Sequence, residues 1–218
     1  MAYHSTGARA GADTCAPVVA DGLPGRLHLQ MTMSRRVLPF ALLLACLPSP
    51  LRSADHPQVV VLVRHAEKGT MPAGDVTLND TGQARAEELA MALAEARIDT
   101  IVVTQFRRTR DTAAPLSRAL ELTPVVVEAG TDTAQHASQV AAAVRRGGHA
   151  VLVVGHSNTV PAIIAALGGP AMQELCETEY ANLFTMTLAP GQPARLVHGH
   201  YGAPDPPSAA DCHRQMKQ

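Results

Sequence analysis

The chain is predicted to fold as an α/β domain, three layers deep (α/β/α), with a mostly parallel central sheet and an antiparallel edge. Two patterns predict it. From residue 58 onward, short β-branched runs alternate with longer amphipathic stretches, the rhythm of strand-helix-strand units whose strands run parallel. Near the end this gives way to two alternating runs, 182–188 and 194–197, separated by Pro190-Gly191. That reads as a hairpin on one sheet edge.

The first strand is 59–63, an unbroken run of Val and Leu. A helix follows over about 80–96, with Ala86, Leu89, Ala90, Leu93 and Ala96 on one face and Asn79 or Thr81 available to cap it. The second strand is 100–103, the second helix 108–120, the third strand 124–127, and the third helix 134–146, closed by Gly147-Gly148. The fourth strand is 150–154, and a short helix over about 160–167 ends at Gly168-Gly169-Pro170. The folded domain therefore spans about 56–201. Residues 202–218 form a tail whose Pro-rich start cannot continue a strand.

Composition excludes some partners. Lys plus Arg number 18 against 19 for Asp plus Glu, so no overall basic field exists to hold nucleic acid. Aromatic residues are 3% and Trp is absent, which leaves an aliphatic core and removes stacking platforms for bases.

Met33 to Pro48 carries a short basic head and then an apolar run of signal-peptide length, too short to span a membrane comfortably. Residues 1–32 precede it and read as a non-native upstream extension, with translation expected from Met31 or Met33. Two exits from the 33–54 signal are open. Leu43-Leu44-Ala45-Cys46 resembles a lipobox, which would lipidate Cys46 and anchor the chain to the envelope; cleavage near Ala54 would release it to the periplasm. Cys176 and Cys212 fall in the domain and its tail, and both a disulfide and two unpaired thiols are open readings.

The chemistry-bearing residues fall at strand ends, where open α/β sheets bind ligands. The first strand runs into Arg64-His65, the second reaches Arg107-Arg108 after Thr104-Gln105-Phe106, and the fourth runs into Gly155-His156-Ser157-Asn158. If those strands are parallel, the three ends share one rim. Guanidinium forks match phosphate oxygens bidentately, and imidazole can attack phosphorus or donate a hydrogen bond. The helix opening after Ser157 adds backbone N–H donors.

Val63-Arg64-His65-Ala66-Glu67-Lys68 resembles the Arg-His-Gly signature of the histidine phosphatase superfamily, which includes phosphoglycerate mutases, with Ala66 in place of the usual Gly. The stretch from Thr104 to Ala113 is similar to its Ser-x-x-x-Arg-x-x-x-Thr-Ala segment and assigns the second phosphate-binding arginine to Arg108. Val153 to Asn158 is similar to its second-histidine segment, and Leu78 to Ala86 to its Leu-x-x-x-Gly helix start. This resemblance covers about 58–188 and implies a phosphoglycerate mutase-like fold. It also implies a phosphatase that forms a phosphohistidine on His65, with Arg64, Arg108 and His156 binding and stabilising the phosphoryl group and no cofactor or metal required. Lys68, Ser157 and Asn158 are candidate substrate contacts. The substrate would be a phosphorylated small molecule or a phosphohistidine protein.

A proton donor is harder to place. Family members use an acid after the third strand, which points to Glu128, with Asp75 and Glu67 as alternatives. Arg107 and Arg110 read as solvated helix residues, and Glu67 with Lys68 as a surface pair or a substrate contact. His198 and His200 make half a metal site and read as edge-strand surface residues. Two other functions stay open: a non-catalytic phospho-ligand-binding envelope protein, and a phosphoglycerate mutase relative.

Overall fold

The computed structural model describes residues 56–207 and Cys212. The upstream extension, the signal segment with Cys46 and Ala54, and most of the tail lie outside the described residues.

The elements are β1 (Gln58–Arg64), α1 (Asp80–Ala92), β2 (Thr100–Val103), α2 (Arg107–Ala119), β3 (Val125–Val126), α3 (Thr133–Arg146), β4 (Ala150–Gly155), α4 (Thr159–Ala166), β5 (Asn182–Leu188) and β6 (Arg195–His200). They build one six-stranded sheet in the order β3-β2-β4-β1-β5-β6. β3, β2, β4 and β1 are parallel; β5 runs antiparallel to β1, and β6 antiparallel to β5. The mixed α/β class with a mostly parallel sheet and an antiparallel edge is the one expected from the sequence.

Alternation along the strands separates two apolar layers. Val60, Leu62, Val151, Val153, Phe184 and Met186 face one side and meet Val140 and Val144 of α3 and Ile163 and Ile164 of α4. Val61, Val63, Ile101, Val103, Leu152 and Val154 face the other and meet Leu89 of α1 and Ala113 and Leu116 of α2. Helices on both faces explain why β1 and β4 read as unbroken apolar runs.

Three boundaries differ from expectation. α1 stops at Ala92, not residue 96, because the chain turns back to reach β2 and Arg97 takes a positive φ of 53° in that turn. β3 is shorter than 124–127; its two valines lie on the sheet edge and are exposed. β6 is longer than 194–197, since its pairing with β5 runs unbroken from Thr187↔Arg195 to Asn182↔His200. His198, Gly199 and His200 carry little strand propensity, so register extends the strand where local preference does not. No helix among the described residues is long and apolar enough to cross a membrane.

Candidate active site

Because β1, β2 and β4 are parallel, their carboxyl ends open on one rim. Arg64 ends β1 and pairs with Gly155, which ends β4; the next residues are the two histidines. The His65 N–H donates to the Gly155 carbonyl at 2.9 Å, continuing the ladder by one step. The His65 and His156 rings meet edge to face with centroids 5.4 Å apart, and both are buried, at 3% and 8% exposure.

The protonation state of His65 follows from one bond. Its Nδ1 lies 2.8 Å from the Ala66 carbonyl, and a carbonyl oxygen only accepts, so Nδ1 carries the hydrogen. The lone pair is then on Nε2. Burial lowers the His65 pKa to about 3, against the Ala66 carbonyl, with further lowering by the charges of Arg64, Arg108 and Lys68. The ring is therefore neutral and nucleophilic near neutral pH. His156 is lowered to about 3 as well, first by burial and then by Arg108, His65, His136 and Arg64. Its Nε2 is 3.1 Å from Thr104 Oγ1, which also meets Thr109 Oγ1 at 2.9 Å.

Arg64 is 1% exposed and is held by the loop before β5. Nη1 donates to the Cys176 carbonyl at 2.6 Å and the Glu179 carbonyl at 3.2 Å, while Nη2 donates to Glu177 Oε2 at 2.9 Å. The Tyr180 ring lies 4.3 Å from the guanidinium carbon, at cation–π distance. Arg64 Nε and His156 Nδ1 are buried without a partner among the described residues. Each is a polar atom that an incoming oxyanion would satisfy. Arg108 is half-buried and lies 4.3 Å from the Phe106 ring, which in turn sits edge-on to His156.

The remaining expected residues divide. Lys68 Nζ is 3.5 Å from Glu177 Oε2, and Ser157 Oγ donates to Glu177 Oε1 at 3.1 Å, so both face the rim. Asn158 Nδ2 donates to Thr133 Oγ1, at the start of α3, at 3.3 Å. Glu128 is exposed, and the bond the structure gives it is made by its backbone carbonyl, to His136 Nδ1 at 3.0 Å. Glu67 is not a partner of Lys68: it takes three hydrogen bonds of 2.8 to 3.0 Å from buried Arg85. Asp75 Oδ1 accepts from the Arg107 N–H at 2.8 Å, at the start of α2. Arg107 and Arg110 are exposed. His198 stacks on Phe184 and bonds Asn182 Oδ1 on the sheet edge. Among the described residues, no group of His, Cys, Asp and Glu is placed to hold a metal ion.

Glu177 and Tyr180 were not singled out from the sequence. A signal existed: β5 was expected on an antiparallel edge, and an antiparallel strand beside β1 must begin at the rim where β1 ends. The loop before it, Cys176 to Ala181, is thereby delivered to the site. Cys176 of that loop is disulfide-bonded to Cys212, which resolves the two open readings in favour of the bridge. A groove of about 760 Å³ lined by His56, Gln58, Arg145 and His149 opens at the opposite ends of β1 and β4, away from these groups.

Residues 60–133 match the model of the histidine phosphatase superfamily, branch 1. The matched segment covers about a third of the chain. It holds β1 with Arg64 and His65, α1, β2 and α2 with Arg108, whereas His156 and Glu177 lie beyond it. No curated protein matches the chain. Solved structures with a similar fold include the mycobacterial glucosyl-3-phosphoglycerate phosphatase, at 17% identity and TM-score 0.52, covering 68% of this chain and 100% of that one. The protein histidine phosphatase SixA complexed with tungstate is similar at 19% identity and TM-score 0.52, over 66% and 97%. Mycobacterial hydrolase 1 is similar at 18% identity and TM-score 0.50, over 68% and 100%. At these identities the likeness establishes the fold alone.

Proposed function

We propose that the domain is a phosphatase that transfers a phosphoryl group to His65 and releases it to water. The observation that carries this reading is the fixed tautomer of a buried, neutral His65 whose free Nε2 lies beside His156 and under the charge of two arginines. Nε2 attacks phosphorus and the bond to the ester oxygen breaks. Arg64, Arg108 and His156 take the charge that builds on the phosphoryl oxygens; water then cleaves the phosphohistidine. The superfamily match and the fold it shares with phosphatases support this over an unrelated α/β function. The substrate class we propose is a phosphorylated small molecule or a phosphohistidine protein.

The test is release of phosphate from p-nitrophenyl phosphate by the purified domain. His65→Ala should abolish it, and wild-type enzyme quenched during turnover should carry phosphate on His65. Full activity in His65→Ala would refute the reading.

We also propose export, on the basic and then apolar run from Met33 and on the disulfide, a bond that persists in oxidising compartments. N-terminal sequencing and fatty-acid labelling of the native protein distinguish lipidation at Cys46 from cleavage near Ala54, and recovery of the protein solely from the cytoplasm would refute export.

A further inference from the structure

We propose that Glu177 is the general acid of this site, donating a proton to the oxygen that leaves phosphorus; the inference rests on the phosphatase reading above. His65 is buried, at 3% exposure, so in-line attack on phosphorus sends the departing oxygen away from its ring, toward solvent. The Glu177 side chain is on the solvent side, 66% exposed, and its carboxylate accepts from three groups of the rim: Arg64 Nη2 at 2.9 Å, Ser157 Oγ at 3.1 Å and Lys68 Nζ at 3.5 Å. The other carboxylates considered are occupied elsewhere or lie apart. Glu67 is locked to Arg85; Asp75 accepts the Arg107 N–H and its charge acts on Arg108, whereas no bond joins it to Arg64; and the bond given to Glu128 is made by its backbone carbonyl.

The carboxyl can also acquire a proton. Partial burial pushes its pKa up, but Arg64 and Lys68 together with the Ser157 bond outweigh that and hold it below the usual carboxylate range. An incoming phosphoryl group competes for Arg64 and Lys68 and puts negative charge beside Glu177. Both changes favour the neutral carboxylic acid, and a phosphomonoester, whose second ionisation lies near pH 6, can bring the proton with it.

The step balances. As the P–Nε2 bond forms, the P–O ester bond breaks, its electron pair stays on the leaving oxygen, and that oxygen takes the Glu177 proton. In the second half, water attacks phosphorus as the P–N bond breaks, and its proton returns to the Glu177 carboxylate.

Glu177→Gln removes the transferable proton and keeps the shape. Wild type and variant are compared on p-nitrophenyl phosphate, whose leaving group needs little protonation, and on glycerol phosphate, whose alkoxide needs it fully. The kcat on glycerol phosphate should fall about 100-fold or more, the usual scale of general acid catalysis, and the loss on the nitrophenyl ester should be at least about tenfold smaller. Inhibition by inorganic phosphate should be retained or tightened, showing an intact pocket. Equal losses on both esters, or no loss on either, overturn the assignment. So does a wild type that uses His65 to hydrolyse the nitrophenyl ester but leaves glycerol phosphate untouched; the phosphohistidine reading would then survive alone. A wild type inactive on both esters overturns the phosphatase reading first and this one with it.

Discussion

Thr104 shows how much of the chemistry depends on a side chain with none of its own. Its hydroxyl is buried and joins His156 Nε2 to Thr109 Oγ1, so it fixes the plane of the second imidazole. Thr104→Val keeps the shape and leaves a buried ring nitrogen without its partner, at a cost of about 1–3 kcal/mol. We expect kcat/KM on p-nitrophenyl phosphate to fall by about 5- to 100-fold, with an unchanged circular dichroism spectrum. Ala66 makes the complementary point. The superfamily signature it resembles has glycine there, yet the Ala66 methyl is fully buried with Leu78 and Ala86. Its backbone still performs both local tasks: the N–H donates to Thr112 Oγ1 at 2.9 Å, and the carbonyl accepts from His65.

At the scale of elements, α1 matters through its first turn. Asn79 Oδ1 caps it by accepting from the Gly82 N–H at 2.9 Å, and the Asn79 N–H donates to the Glu67 carbonyl at 3.0 Å. A methyl group on Gly82 would overlap that same carbonyl. The helix therefore presses bare backbone against the loop two residues beyond His65. Gly82→Ala should destabilise the domain by about 1–3 kcal/mol, as overpacking does, read as a lower urea midpoint, and should reduce kcat by moving His65. Elements were the most legible part of the sequence: period and caps located every helix and strand to within a few residues. The exceptions, the early end of α1 and the full length of β6, were decided by a turn and by pairing, and neither leaves a periodic trace. Site legibility split along the same line. Arg64, His65, Arg108 and His156 stand directly at the strand ends or on the helix that follows. Glu177 instead sits in an irregular loop whose destination depends on the direction of the next strand.

The whole molecule carries its unusual histidines as an acid liability. His65, His136 and His156 all have folded pKa values below the ordinary 6.5, each chiefly through burial. The unfolded chain then binds more protons than the folded one, so stability is fully present above about pH 6.5 and is lost as pH falls toward about 3. The urea midpoint should hold level from pH 8 to about 6.5 and decline below it; a His65→Asn, His156→Asn double variant should decline less steeply. The disulfide adds a second dependence. It spans 36 residues, and opening a loop of that size costs about 2–4 kcal/mol. Because Cys176 also offers its carbonyl to Arg64, Cys212→Ser should lower the melting temperature and raise KM together; a fall in melting temperature with KM unchanged would show that the bridge does not support the arginine. The register of β1 on β4 reaches further. The two imidazoles each follow directly on the last paired residues of adjacent strands, Arg64 and Gly155, so their spacing is set by sheet geometry before any ligand arrives. An anion entering this pocket meets a template already cut to size, and its capture should be fast, with little rearrangement of the main chain.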